Sequence, residues 1–224
     1  MSEISLVQLQ YALFFDSIEN RPDKLIPRVD DALDGVFDQM PTILPIPQDA
    51  PPEVPSVIMQ SSNGVYTCNI ARTRIDFIVN YGNSGQSVSV NVDDFIKQIR
   101  IFSNSVSKYK KFTRFGFVGK YFLKDNNPSR KIQNKYFKKD LGDLEELNFR
   151  FNKRFESNEL TLNDVVEISK GTINEVGRTS QQGVFIQRDM NNVPVSTSLA
   201  TEEILKVITS HQNSFTISGI SELI

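Results

Sequence analysis

The chain has 224 residues, 39% of them hydrophobic, with 16 Phe and a formal net charge of −2, which is ample material for a core without covalent staples. A single cysteine, Cys68, and a single histidine, His211, exclude an internal disulfide and a Cys/His zinc site, and leave only one imidazole for any nucleophilic scheme. No apolar run approaches the ~18 residues of a membrane span, and the amino-terminal MSEISLVQLQ lacks the charged and apolar regions of a signal peptide, so a cytoplasmic location is expected.

Residues 4–15, ISLVQLQYALFF, set Val7, Leu9, Tyr11, Leu13 and Phe15 against Gln8 and Gln10, the two-residue alternation of a half-buried strand. Leu25, Val29, Leu33, Val36 and Phe37 then recur at helical spacing, with Asp30, Asp31 and Asp34 on the wet side. Six of the ten prolines crowd into residues 41–55, which predicts an extended connector, since proline cannot donate to a ladder. VIMQ, VYTCNIA and TRIDFIVN read as an antiparallel meander, and VDDFIKQIRIFSNSV returns to helical period.

The second half follows the same order. TRFGFVGKYFL reads as a strand with Phe115, Phe117, Tyr121 and Leu123 on one side, and NNPSRKIQNKYFKK as a helix capped by Asn127 with Pro128 in its first turn. LNFRFNKRF, LNDVVEISKGTI and GVFIQRDM are three further strands, and TEEILKVITSH a final helix. The predicted fold is therefore α+β, a mainly antiparallel sheet built from two β-α-β-β-β-α halves, 1–110 and 111–224, in one continuous unit with helices covering one face. The halves are expected to superpose as an internal repeat.

Two such halves joined edge to edge resemble, in topology alone, the saddle of the TATA-binding protein, although none of that family's DNA-wedging phenylalanines has a counterpart here. Arg114 to Phe117, then Lys120 to Phe122, together with the later VFIQRDMN and a short terminal helix, resemble a sporadically distributed bacterial protein family of unknown function. The insertion of Val118 and Gly119 departs from that family's pattern. The resemblance spans most of the chain and implies a bacterial cytoplasmic accessory protein, encoded among mobile or phage-defence genes. It brings no activity with it.

The segment Lys108 to Lys139 holds eleven Lys and Arg against one acid, Asp125, a local charge of +10 in a chain of net −2. Strand parity sends Arg114, Lys120, Lys124, Arg150 and Arg154 to the face opposite the core, and Arg130, Lys131, Lys135, Lys138 and Lys139 surround a narrow apolar stripe of Ile132 and Tyr136. These ten residues are the candidate surface for a protein partner. Phosphate contacts by the same cations are the alternative, which would make the chain a nucleic-acid-binding protein. A solvated face and simple charge balance explain them too. A more distant reading, a metal-dependent nuclease, would draw on Glu167, Lys170, Arg188 and Asp189, but EISK has one residue too many between its charges and sheet-face salt bridges account for these four better. No catalytic residue, metal ligand or cofactor site is assigned. Cys68 reads as a small buried residue and His211 as a helix-end residue.

Overall fold

The computed structural model describes residues 4–47, 49–82, 85–174 and 180–224; Gln48 of the proline-rich connector and the first three residues lie outside them. Nine strands form one antiparallel sheet: β1 (Ile4–Phe15), β2 (Thr42–Ile43), β3 (Val57–Gln60), β4 (Tyr66–Ile70), β5 (Arg74–Asn80), β6 (Phe112–Lys124), β7 (Asn148–Ser157), β8 (Leu160–Ile173) and β9 (Gln181–Asn192). The helices are α1 (Ile26–Ala32), α2 (Val88–Val106), α3 (Pro128–Tyr136), α4 (Thr201–Ser210) and the short α5 (Ile217–Ser221). The expected α+β class and antiparallel sheet are present. Each half carries the order β-α-β-β-β-α, the first with the two-residue β2 added.

Across the sheet the order is β2-β3-β4-β5-β1-β6-β9-β8-β7. The first strand of each half thus sits at the centre, and β1 and β6 pair along nearly their whole length, from Ile4↔Leu123 to Phe15↔Phe112. This seam joins the halves. Its register slips between Leu6 and Gln8, so Val7 sits in a bulge rather than on the core side with Leu9, and Leu6 takes the buried place at 4% exposure.

The core lies on one face only. Phe77 of β5 stacks on Phe95 and Phe102 of α2 with ring centroids 5.6 and 5.5 Å apart, and on Tyr66 of β4 at 6.2 Å. Phe95 meets Phe117 of β6 at 5.6 Å, and Phe117 meets Phe215, in the turn after α4, edge-on at 4.6 Å. These rings form a continuous aromatic chain that crosses the seam. Such pairs contribute about 0.5–1.5 kcal/mol each beyond their buried area. The two fully buried phenols are satisfied: Tyr11 accepts from Ser103 Oγ at 2.9 Å, and Tyr121 donates to the Phe215 carbonyl at 2.6 Å. α3 closes the second half with Ile132 fully buried and Tyr136 4.5 Å from Phe149.

Local chemistry sets the helix ends. Ser87 accepts from the Val90 amide to cap α2, Asn127 accepts from the Arg130 amide to cap α3, and Glu203 accepts from the Ala200 amide before α4. The first helix is shorter than its apolar spacing suggests, because Asp34 and Gly35 both adopt left-handed backbone, φ 53° and 67°, and end it before Val36 and Phe37. Phe37 nonetheless reaches the core, edge-on to Phe77.

Because the aromatic chain spans both halves, Phe117→Ala is expected to lose about 3–5 kcal/mol of stability while unfolding stays a single transition. Phe149→Ala, at the half-buried margin, should cost less than half as much. Urea denaturation followed by far-UV circular dichroism and by tyrosine fluorescence checks both; two separated transitions in the wild type would show that the halves fold independently.

Candidate interaction face

With every described helix on the aromatic side, the alternate side chains of the strands form an open second face. Its composition follows from parity: the residues one step away from the core positions on the central strands include Gln8, Gln10, Arg114, Lys120, Gln187 and Asn191, with the half-buried Ile78 and Val118 on either side of Gln10. One cross-strand row runs Asn80, Gln8, Lys120, Gln187, Glu167, Arg150 through five register pairs. Gln8 Nε2 donates to Asn80 Oδ1 at 2.9 Å and Asn148 Nδ2 to Glu167 at 2.9 Å. Beside it, Lys120, Glu167, Ser169, Phe185 and Gln187 line a depression of about 210 Å³.

Two rows further along, Ala12 and Gly116 face each other at the seam, where a Cβ on Gly116 would meet nothing nearer than 3.9 Å. This low point is flanked by Asp76 and Asn191, both under 6% exposed. Asp76 accepts from Gln10 Nε2 at 2.8 Å and is ion-paired with Arg74. Asn191 accepts from Arg114 Nη2 and Asn163 Nδ2, both at 3.1 Å, and donates to Asp189 at 3.0 Å. The Phe14 ring lies between the two arginines, with guanidinium carbons 4.7 Å (Arg74) and 4.8 Å (Arg114) from its centroid. Stacking on Phe14 and bonding to Asp76 or Asn191 fix both guanidinium planes.

At the other end the rings of Phe122 and Phe185, 5.0 Å apart, lie across glycines of neighbouring strands. A Cβ on Gly183 would fall 2.5 Å from the Phe122 ring, and one on Gly171 2.5 Å from that of Phe185. Phe122 is only 4% exposed as a result. The glycines are therefore places where a ring occupies the space of a side chain.

Of the ten candidate residues, Arg114, Lys120, Arg150 and Arg154 lie on this open face, and Lys124 is exposed at the end of β6. Arg154 Nε donates to Asn163 at 3.1 Å. Arg130, Lys131 and Lys135 belong to α3, which packs against the sheet through Tyr136, Phe149 and Phe151 on the aromatic side. Lys138 and Lys139 follow it, exposed. Arg130 pairs with Asp140, and Lys131 with Asp125 at 3.6 Å. The sheet thus separates the strand cations from the helical ones, and the single basic surface expected of them is two surfaces. Phe14, Arg74 and Asn191 were not among the candidates; the parity of β1 placed Phe14 beside Gln10, and that was the available signal.

The four nuclease candidates do not converge. Glu167 and Asp189 are on the open face, whereas Lys170 donates to the Leu144 carbonyl and Arg188 points to the helices. Arg188 makes a two-pronged bond to Asp164 at 2.8 and 2.7 Å, donates to the Ser214 carbonyl at 3.0 Å, and lies 5.9 Å from the Phe215 ring. Among the described residues no group of three or more His, Cys, Asp or Glu is placed to hold a metal ion, and no helix is long and apolar enough to cross a membrane. His211 closes α4, its Nε2 3.0 Å from Ser157 Oγ and its ring 5.3 Å from Phe155. Among the described residues no carboxylate bonds its other nitrogen, so the pair lacks the third group that orients an imidazole as a base. Burial first, then the Arg188 cation, holds His211 below the usual imidazole range, with Asp164 acting the other way. Comparison of the sequence with protein-family models and with curated proteins finds no match.

Asp164→Asn strands the Arg188 guanidinium, whose side chain is 15% exposed against 12% for Asp164, and is expected to cost about 3 kcal/mol in urea unfolding. Asp164→Leu combined with Arg188→Met should recover most of that loss. For His211, the folded pKa lies below the unfolded one, so its contribution to stability is complete above pH ~6.5 and declines as pH falls from there towards the depressed value. As the sole imidazole in the chain it gives one assignable NMR titration, expected to have a midpoint below ~6.5. His211→Gln should flatten the stability profile in that window; an unchanged profile would show the imidazole contributes nothing to it.

Proposed function

We propose that this is a non-catalytic binding protein whose open sheet face recognises a macromolecular partner. The observation that carries the reading is that, among the described residues, no helix covers this face in either half, yet its polar groups are held in place. Arg74, Arg114, Asp76, Asn163 and Asn191 bond one another rather than hang free, so little side-chain entropy is lost when a partner adds its own contacts. Lys120 and Arg150 have no ion-pair partner among the described residues and stand in the row beside the depression, where an acidic protein surface is steered in and fixed in register.

A second reading, nucleic-acid binding, is favoured by one feature: the strand cations Arg114, Lys120, Arg150 and Arg154 occupy a single face. Against it, two of the three rings on that face are engaged, Phe14 between guanidinium groups and Phe122 buried against Gly183, which leaves the half-buried Phe185 at the depression for base stacking.

Affinity purification from the native host separates the two. A Lys120→Glu, Arg150→Glu variant should lose the co-purifying protein, while Lys135→Glu, Lys138→Glu on the helical side should keep it. Retention by both variants would mean the open face is not the binding surface. Nuclease-sensitive material, with a logarithmic salt slope that falls by about one unit per cation removed, would favour the second reading.

A further inference from the structure

The two edges of the sheet are built differently. At one, β2 is two residues long and flanked by Pro41, Pro45 and Pro47, and the Leu44 amide turns inward to the Ser56 carbonyl at 2.8 Å. Proline and brevity close that edge to further pairing. At the other, β7 is ten residues long and, among the described residues, pairs only with β8.

Which β7 amides face outward follows from its turn. Asn158 and Glu159 both have positive φ, 48° and 65°, and link Ser157 directly to Leu160, the two-residue turn whose flanking residues exchange both backbone bonds. The alternation then places Phe155, Lys153, Phe151 and Phe149 in bonded pairs with β8, in keeping with the Lys170 amide bonding the Leu147 carbonyl at 3.0 Å. The N–H and C=O groups of Arg150, Asn152 and Arg154 therefore point away from the sheet. Their side chains lie on the open face, and the half-buried Phe149, Phe151 and Phe155 lie on the helical face.

We infer that β7 accepts an extended acidic segment of a partner protein as a tenth, antiparallel strand. The inference rests on the reading of this chain as a binding protein but uses the edge rather than the open face. Charge selects the occupant. Among the described residues none of Arg150, Lys153 and Arg154 is in an ion pair, and Lys153 reaches only the Phe151 ring, at 5.7 Å. A second copy of β7 would set these cations against their own kind, which is unfavourable across paired strands. A segment alternating carboxylate and β-branched side chains sets its acids beside Arg150 and Arg154 and its apolar groups beside Phe149 and Phe151, while its backbone satisfies the outward amides.

The probe is a synthetic peptide of five Glu-Val repeats, with a Lys-Val peptide as control. Isothermal titration should give micromolar binding of the first that weakens with salt, and none of the second. NMR hydrogen exchange should slow at the amides of Arg150, Asn152 and Arg154. Asn152→Pro removes an outward N–H and the exposed Asn152 Nδ2–Asn163 Oδ1 bond without touching the β7–β8 backbone bonds and should weaken binding at least tenfold; should that variant fail to fold, N-methylation of alternate peptide amides tests the same bonds on the intact protein. Lys120→Glu, which disables the open face, should leave peptide binding unchanged, so the edge and the face fail separately. Absence of Glu-Val binding, equal binding of Lys-Val, or binding indifferent to both Asn152→Pro and N-methylation overturns the inference. So does a concentration-dependent dimer that Asn152→Pro abolishes, which would assign the edge to a second copy.

Discussion

Covering a nine-stranded sheet on one side only fixes the character of nearly every strand residue. The helices and the terminal turn supply one apolar layer, so every strand but the short, exposed β2 sends alternate side chains into it and turns the rest to the open side. A shift of a single residue would exchange the two sets. The bulge at Val7 shows the constraint at work: one extra residue in β1 is set aside so that Leu6 and Leu9 both reach the core.

The uncovered side is consequently the place where polar order has a use beyond solubility. In a merely solvated face the arginines would extend into water as separate charges. Here Phe14 separates two of them, and Asp76 and Asn191 engage them from either side of the seam. Hydrogen bonds of this kind add little to net stability, because water offers equivalents in the unfolded chain. Their effect is geometric, a preset array on a rigid sheet.

Local sequence carried most of this architecture. The alternation in LNFRFNKRF and TRFGFVGKYFL identified the strands and the side each residue faces, and Asn127 with Pro128 marked the start of α3. Such patterns are set by burial, which acts residue by residue. Strand order and the side taken by α3 were less legible, since they depend on pairing between residues far apart. The helical cations therefore looked like neighbours of Arg150 and Arg154 when the sheet separates them. Phe14 and Arg74 are illegible in the sequence for a related reason: neither is unusual alone, and only the registers Phe14↔Arg74 and Phe14↔Arg114 bring the three together. The early end of α1 came from left-handed backbone at Asp34, which apolar periodicity cannot register.

The position of β1 has a consequence for how the chain is made. Of the nine described strands β1 is made before the others and is central in the finished sheet, and one of its two neighbours, β6, arrives only after the connector, the meander and α2 have been added. At ~5–20 residues per second a growing chain spends several seconds with the β1 edge unpaired, including its Tyr11, Leu13 and Phe15 side chains. During that interval the nascent first half presents a long unpaired strand edge of the kind that invites mispairing with other chains. Its protection then depends on how rapidly the second half follows, or on a chaperone that holds the edge until β6 closes it.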